Sequence, residues 1–223
     1  MNNFLHLKLW YYPIIVAIVF IMGGCEKGFV DDGDPSVGIN SSQKYLYVID
    51  NGSKKLIMLD ENFFTIQSWD LSYMVGDNDI RGVACSDESL WISVSGNMDQ
   101  ILQLSSSGES VIITNTMTAP PGGKGTIRDL AWDGTNLWAL NSGSTSSHIP
   151  SQLFLINISD NSILESFDLD IPSSRGITYV GVNGDSYGRS VPEGIYITDV
   201  STDKVYVLDE ARNFYEYFTS PMH

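Results

Sequence analysis

Three segments of the chain begin alike: Arg81-Gly82-Val83-Ala84, Arg128-Asp129-Leu130-Ala131 and Arg175-Gly176-Ile177-Thr178. Each start lies 47 residues after the one before it. A fixed period of about 40 to 50 residues restricts the chain to an array of equivalent units, a propeller or a solenoid, because one such unit cannot bury its own faces. The residues after each start identify the unit. A polar turn and a β-rich run come next, SDES-LWISVS and DGTN-LWALNS. After the third start the same run, GIYITD, arrives late, behind the excursion VGVNGDSYGRSVPE. YLYVID at 45–50 is a fourth copy. A second apolar run comes after each (LIMLD, ILQLS, LFLIN, VYVLD), and a third closes the unit (FTIQSWDL, ESVIITNT, NSILESFDLD, NFYEYFTSP). Short β-branched and aromatic runs punctuated by Gly, Asn, Asp and Ser are strands joined by tight turns.

The first and last copies align without a gap, Tyr47 with Tyr196, Asp50 with Asp199, Leu56 with Val205 and Asp60 with Asp209. Four strands per unit and four units predict an all-β chain, a small β-propeller of about four four-stranded blades at roughly 36–71, 81–116, 127–169 and 175–221. An incomplete five- or six-bladed propeller, or completion by oligomerisation, is the alternative. The inner strand of blade 1 is expected at Ser36 to Asn40. DLAWDGTNLWALNSGS in particular resembles the repeats of NHL, YVTN and glutamine-cyclotransferase-like propellers, which carry a small apolar start, a D-G-x-x-L-W turn and strand, and an apolar strand ending in Asp. That resemblance implies the fold and leaves function open, since the repeat is shared by families of very different activity.

Residues 1–24 read as a leader. MNNFLHLK precedes the apolar run LWYYPIIVAIVFIM, which at 9–22 is short of the about 18 to 20 residues that a membrane span needs. Met22-Gly23-Gly24-Cys25 resembles the lipobox of bacterial lipoproteins, which implies lipid attachment at Cys25 and anchoring at the bacterial outer membrane; the acidic stretch after it resembles the surface-export tag of some lipoproteins, with a solvated linker as the alternative. EKGFVDDGDP then reads as an acidic tether over 25–35, and the propeller domain as 36–223. With Cys25 lipidated, Cys85 has no intrachain partner and is expected to be a small buried hydrophobe.

The chain carries 27 acidic against 12 basic residues, a formal net charge of −15. Such a field repels phosphate backbones, so a nucleic-acid partner is not expected. Within it, Arg81, Arg128 and Arg175 stand at the starts of inner strands and should point to one mouth of the central channel. The turns holding Asp50, Asn51, Ser95, Asn97, Asn141, Ser142 and Asp199 emerge on the same face. The arrangement has two readings. Each guanidinium forks onto a carboxylate such as Asp129, Asp50 or Asp199 and clamps neighbouring blades, or the three cations form an anion site, with Asp50, Asn51, Asn141 and Asp199 completing the rim. Blade 1 has Val37 in place of the arginine, which breaks the ring. The excursions SYMVGDNDI, TAPPGGKGT and SGSTSSHIPSQ fall on that side, where loops of this length carry binding. The excursion at 180–193 falls on the opposite face and reads as a loose loop; calcium is the ion it would take, but it lacks the regular carboxylate spacing of a dedicated calcium loop.

The aromatic of each second strand, Tyr47, Trp91, Trp138 and Tyr196, is expected to fill space between blades and not to stack on a ligand. Catalysis has little to stand on. The histidines are His6, His148 and His223, no cluster for zinc exists, and no Ser-His or Cys-His pair can be built except through His148. The expected function is a lipid-anchored, non-catalytic module at the cell envelope that binds a small anionic molecule, a glycan or an envelope protein. The competing class is a metal-assisted lyase or hydrolase, or a glutaminyl-cyclotransferase-like enzyme, using acids in the channel, with Trp132 on an inner strand as its indole.

Overall fold

The computed structural model describes residues 25–26, 44–86, 88–97, 99–107, 110–118, 126–143, 149–171, 173–181 and 192–219. They form four antiparallel sheets of four strands, each in simple chain order, arranged as a four-bladed β-propeller. Blade 1 holds β1 (Cys25–Glu26), β2 (Lys44–Asp50), β3 (Lys55–Leu59) and β4 (Thr65–Asp70). A single turn of helix, α1 (Ser72–Val75), leads on to blade 2, which holds β5 (Asp79–Cys85), β6 (Leu90–Ser95), β7 (Gln100–Ser107) and β8 (Ser110–Thr118). Blade 3 holds β9 (Ile127–Trp132), β10 (Leu137–Asn141), β11 (Ser151–Ile156) and β12 (Ile163–Leu169). Blade 4 holds β13 (Ser174–Val180), β14 (Gly194–Asp199), β15 (Lys204–Asp209) and β16 (Phe214–Thr219).

One expectation for the N-terminal part is corrected. The strand that pairs with the inner edge of β2 is Cys25–Glu26, with Cys25 opposite Tyr45 and Glu26 opposite Lys44, so these two residues belong to a blade and not to a tether. The strand expected at Ser36 to Asn40, Val37 with it, and the leader 1–24 lie outside the described residues. Cys85 is also not the lone thiol expected from the sequence, because it is disulfide-bonded.

Period-two alternation explains how one strand serves two interfaces. Every residue of β6 is buried. Leu90, Ile92 and Val94 join the core shared with Tyr47, Ile49, Leu56 and Met58 of blade 1, while Trp91 points the other way, into the core shared with Ile127, Leu130 and Leu137 of blade 3. Strand β10 repeats the device. Leu137 and Ala139 face blade 2, and Trp138 and Leu140 face Ile177, Ile195 and Ile197 of blade 4. The four aromatics of the second strands are all buried, as expected of spacers between blades. Trp91 stacks on Trp132 with centroids 5.0 Å apart. Among the described residues, cores join blades 1 and 2, 2 and 3, and 3 and 4, and none joins 4 and 1.

The gapless alignment of blades 1 and 4 extends to turn chemistry. Asp50 Oδ1 accepts the amides of Gly52 and Ser53, and Asp199 Oδ1 accepts those of Ser201 and Thr202. Asp60 Oδ1 accepts Phe64 N–H at 2.8 Å, and Asp209 Oδ1 accepts Asn213 N–H at 2.7 Å. Each turn ends on a left-handed residue, Lys54 and Asp203 (both φ 54°) or Phe63 and Arg212 (φ 63° and 65°). An Asx side chain that mimics the backbone closes such a turn locally and fixes the register of the hairpin.

Candidate functional site

The three inner strands β5, β9 and β13 lie side by side, and the arginines stand at their second or third residues. Arg81, Arg128 and Arg175 converge. Burial pushes the Arg128 guanidinium down to about 10, and the charges of Arg175 and Arg81 push it the same way, with Asp79 opposing them. Arg128 is half-buried, and its Nε is enclosed with no hydrogen-bond partner. Arg175 is exposed.

Among the described residues, only Arg81 has the carboxylate partner that the clamp reading requires, and that partner is none of those expected. Its Nη2 lies 2.5 Å from Asp79 Oδ2, and its Nε donates to Ser95 Oγ at 3.2 Å. Asn51 Nδ2 donates to Asp79 Oδ1 at 3.0 Å, while Asn51 Oδ1 accepts Ile80 N–H at 2.8 Å and Lys54 Nζ at 2.9 Å. Lys54 Nζ is itself 3.5 Å from Asp79. The turn after β2 is thereby tied to the start of β5 in the next blade. The hydrogen bond from Asn51, and the nearby Arg81 and Lys54, hold the Asp79 carboxyl below its ordinary range. Asp79 and Lys54 were not among the residues singled out from sequence. The signal was in the spacing, since Asp79 and Arg81 are two apart on a strand and so share a face.

Asp50 and Asp199 do not reach the arginines, because their oxygens are taken by their own turns. Asp50 also accepts the Ser53 hydroxyl. Burial raises the Asp199 carboxyl, but bonds from Ser201, Ser173 and Thr202 outweigh it and hold the group low. Asn141 is buried at the end of β10, opposite Ile127 and Gln152. Asp129 is the largest departure from expectation. It is fully buried between the inner strands, where Oδ1 accepts Leu130 N–H and Oδ2 accepts Ile177 N–H of blade 4, both at 2.9 Å. Burial drives its pKa up to about 8, against those two bonds. It therefore joins blade 3 to blade 4 without any guanidinium. Gly82 of blade 2 lies so close to it that a Cβ there would sit 2.5 Å from Asp129 Cα.

Of the excursions expected to carry binding, 72–80 is described. Leu71 and Val75 anchor it in the core, and Asn78 Oδ1 accepts Asn97 N–H at 2.9 Å across the rim. Residues 119–125, 144–148 and 182–191, and with them His148 and most of the proposed calcium loop, lie outside the described residues. Among the described residues no group of three or more His, Cys, Asp or Glu side chains is placed to hold a metal ion.

A second concavity, of about 370 Å³, opens at the other end of the strands between blades 3 and 4. Its walls include Trp138 and Tyr179, and its rim is formed by the turns that carry Asp133 and Asp209. No sequence expectation pointed there.

No family model matches the chain, and no curated protein matches it significantly. Solved structures resemble it in fold. Glutaminyl cyclase from Myxococcus xanthus superposes with a TM-score of 0.53 at 13% identity, over 75% of this chain and 62% of that one. Virginiamycin B lyase from Staphylococcus aureus gives 0.53 at 12%, over 80% and 53%, and the WD40 repeats of RRP9 give 0.52 at 13%, over 78% and 47%. The chain thus spans about half to three-fifths of the length of these proteins. It shares the β-propeller fold with a cyclase, a lyase and a WD40 repeat domain alike.

Proposed function

We propose that the protein is a non-catalytic binding module of the cell envelope, and that its ligand is a small organic anion, a carboxylate, phosphate or acidic sugar, held at the mouth where Arg81, Arg128 and Arg175 converge. The observation that carries this reading is the enclosed, unpartnered Nε of Arg128 between two further arginines. An arginine fork is suited to planar anions, and an unpaired buried donor costs stability until an acceptor arrives. Asp79 neutralises Arg81 in part and leaves Arg128 and Arg175 as the cations facing the ligand. The acids that a channel enzyme would need are less available, since both Asp129 oxygens are committed to backbone amides and Trp132 is stacked on Trp91.

Export is common to two features of the chain, the leader with its lipobox and the disulfide at Cys85, because disulfides persist in oxidising compartments. Lipid attachment at Cys25 is the competing part. The sequence has two cysteines, and a thioether to lipid leaves Cys85 nothing to pair with.

Thermal unfolding of the full-length chain in uncharged detergent, with and without glutarate, inorganic phosphate and glucuronate, tests the anion reading. A ligand at 100 times its Kd stabilises by roughly 2.7 kcal/mol, a rise of roughly 5 to 10 °C in the midpoint of a domain this size. The expected result is a rise with one of these anions that disappears in Arg128→Ala, a variant that loses no hydrogen bond of Nε. Unchanged midpoints with every anion would reject the reading.

A further inference from the structure

The concavity between blades 3 and 4 lies at the opposite end of the strands from the arginines, and its chemistry is the inverse of theirs. Its floor is apolar and buried, formed by Leu155, Ile195 and Leu208. Trp138 is fixed as one wall. Its indole Nε1 donates to Asp133 Oδ2 at 2.9 Å, and Phe167 stacks behind it at 6.2 Å. Tyr179 is the other wall, with its hydroxyl donating to Glu193 Oε1. Carboxylates line the space from two separate elements, Asp133 from the turn after β9, and Asp209 and Glu210 from the end of β15 and the turn that follows it.

Among the described residues the one cation of this lining, Arg212, shows what the aromatic wall accepts. Its guanidinium lies 5.3 Å from the centre of the Trp138 ring and 5.8 Å from that of Phe167. The charge is answered from outside the cavity by Glu165, through two bonds of 3.0 Å. Asp133, Asp209 and Glu210 therefore have no matching cation within the described lining. The charges of Asp133 and Glu210 are felt at the Tyr179 phenol. Burial, the bond to Glu193 and the charges of Glu193, Asp133 and Glu210 all push its ionisation well above the ordinary range.

We propose that this cavity, walled by Trp138 and Tyr179 and rimmed by Asp133, Asp209 and Glu210, binds a small organic cation, a protonated amine carried on an apolar stem. A volume of about 370 Å³ suits a ligand of that size. Ammonium groups are stabilised over aromatic faces and beside carboxylates, while the stem covers the aliphatic floor. A metal ion fits less well. Asp133 already accepts the amides of Thr135 and Asn136 besides the indole, and Asp209 accepts both nitrogens of Asn213. The remaining charge is spread around the rim and not gathered at one point.

Isothermal titration calorimetry on the full-length protein in uncharged detergent, with 1,5-diaminopentane, Nα-acetyl-lysine amide and 1-pentanol, tests this. The expected result is saturable binding of an amine, none of pentanol, and a Kd about two- to fivefold weaker in Glu210→Gln, as for loss of one exposed charged partner. Glu210 is exposed, so this variant folds, and its circular dichroism spectrum should match the parent's. Equal binding of both amines identifies the site as one for a lysine side chain, whereas tighter binding of the diamine identifies a free amine. Absence of saturation by either amine at millimolar concentration, or an unchanged Kd in a folded Glu210→Gln, overturns the proposal.

Discussion

Asp129 Oδ2 accepts the backbone N–H of Ile177 at 2.9 Å, across the boundary between blades 3 and 4. The carboxyl is completely enclosed, and its pKa is raised from 3.8 to about 8. A group with a raised folded-state pKa binds its proton more tightly when folded, so an acid of this kind withdraws stability as pH rises between its two values. The window is therefore about pH 4 to 8. We expect the unfolding midpoint to fall by several degrees between pH 5 and pH 8, and Asp129→Asn, which cannot ionise, to lose that slope even though it starts less stable. Midpoints measured across this range in both proteins decide the matter. A parallel slope in the variant would assign the pH dependence to other groups.

The close approach at Gly82 gives a sharper steric prediction. A Cβ at this position would meet Asp129 Cα at 2.5 Å and Oδ1 at 2.6 Å, whereas one at Gly176 would meet Thr198 Oγ1 at 3.1 Å and Asp129 Oδ2 at 3.6 Å. Backbone cannot yield as a hydroxyl can. Gly82→Ala should destabilise by about 1 to 3 kcal/mol or more, as overpacked cores do, and Gly176→Ala by clearly less. Chemical denaturation of the two variants, compared at equal slope, checks the order.

Asp79 should act with opposite signs on stability and binding. It receives Asn51 and Arg81, but its side chain is 39% exposed, so solvent screening limits its worth to about 1 kcal/mol or less. Asp79→Asn removes that contribution and also the negative charge facing Arg128. We expect a slightly lower midpoint together with tighter binding of the anion, and weaker dependence of stability on acid below pH 4, where the depressed carboxylate is lost in the parent. Weaker anion binding in this variant would mean that Asp79 helps to form the site.

Cys85 should resist iodoacetamide until a reductant is added, because it is disulfide-bonded. Peptide mass spectrometry with and without prior reduction reads this directly. Alkylation of Cys85 in the unreduced protein, together with an acylated Cys25 peptide, would identify the lipidated form instead.

Much of the architecture is legible in the chain because repetition makes it so. The 47-residue steps from Arg81 to Arg128 to Arg175 and the gapless match of Tyr47 to Tyr196 locate blade-forming strands without any helical or catalytic motif. They also bring the three arginines to one place. Their partners are not legible. Asp50 and Asp199 look like rim acids in sequence, yet a carboxylate two and three residues ahead of free amides closes its own turn first, over a shorter loop than any arginine could offer. Asp129 reads as a clamp for arginine, but its neighbours across the blades are glycines and backbone, which no pattern in a single sequence announces. The cavity between blades 3 and 4 is hidden for a similar reason. It is assembled from turns far apart in the chain, and its acids Asp133 and Asp209 also close their own turns.

Phe63 and Arg212 occupy the same station in the first and last blades, at φ 63° and 65°. In blade 1 the residue there is a ring open to solvent, and in blade 4 it is a guanidinium laid over Trp138 of the neighbouring blade. The hairpin is held by Asp60 or Asp209 whichever side chain stands there, so identity at this station can drift without disturbing the blade that carries it. Divergence is thereby channelled to the tips of otherwise duplicate modules, where a single exchange creates or erases a recognition surface.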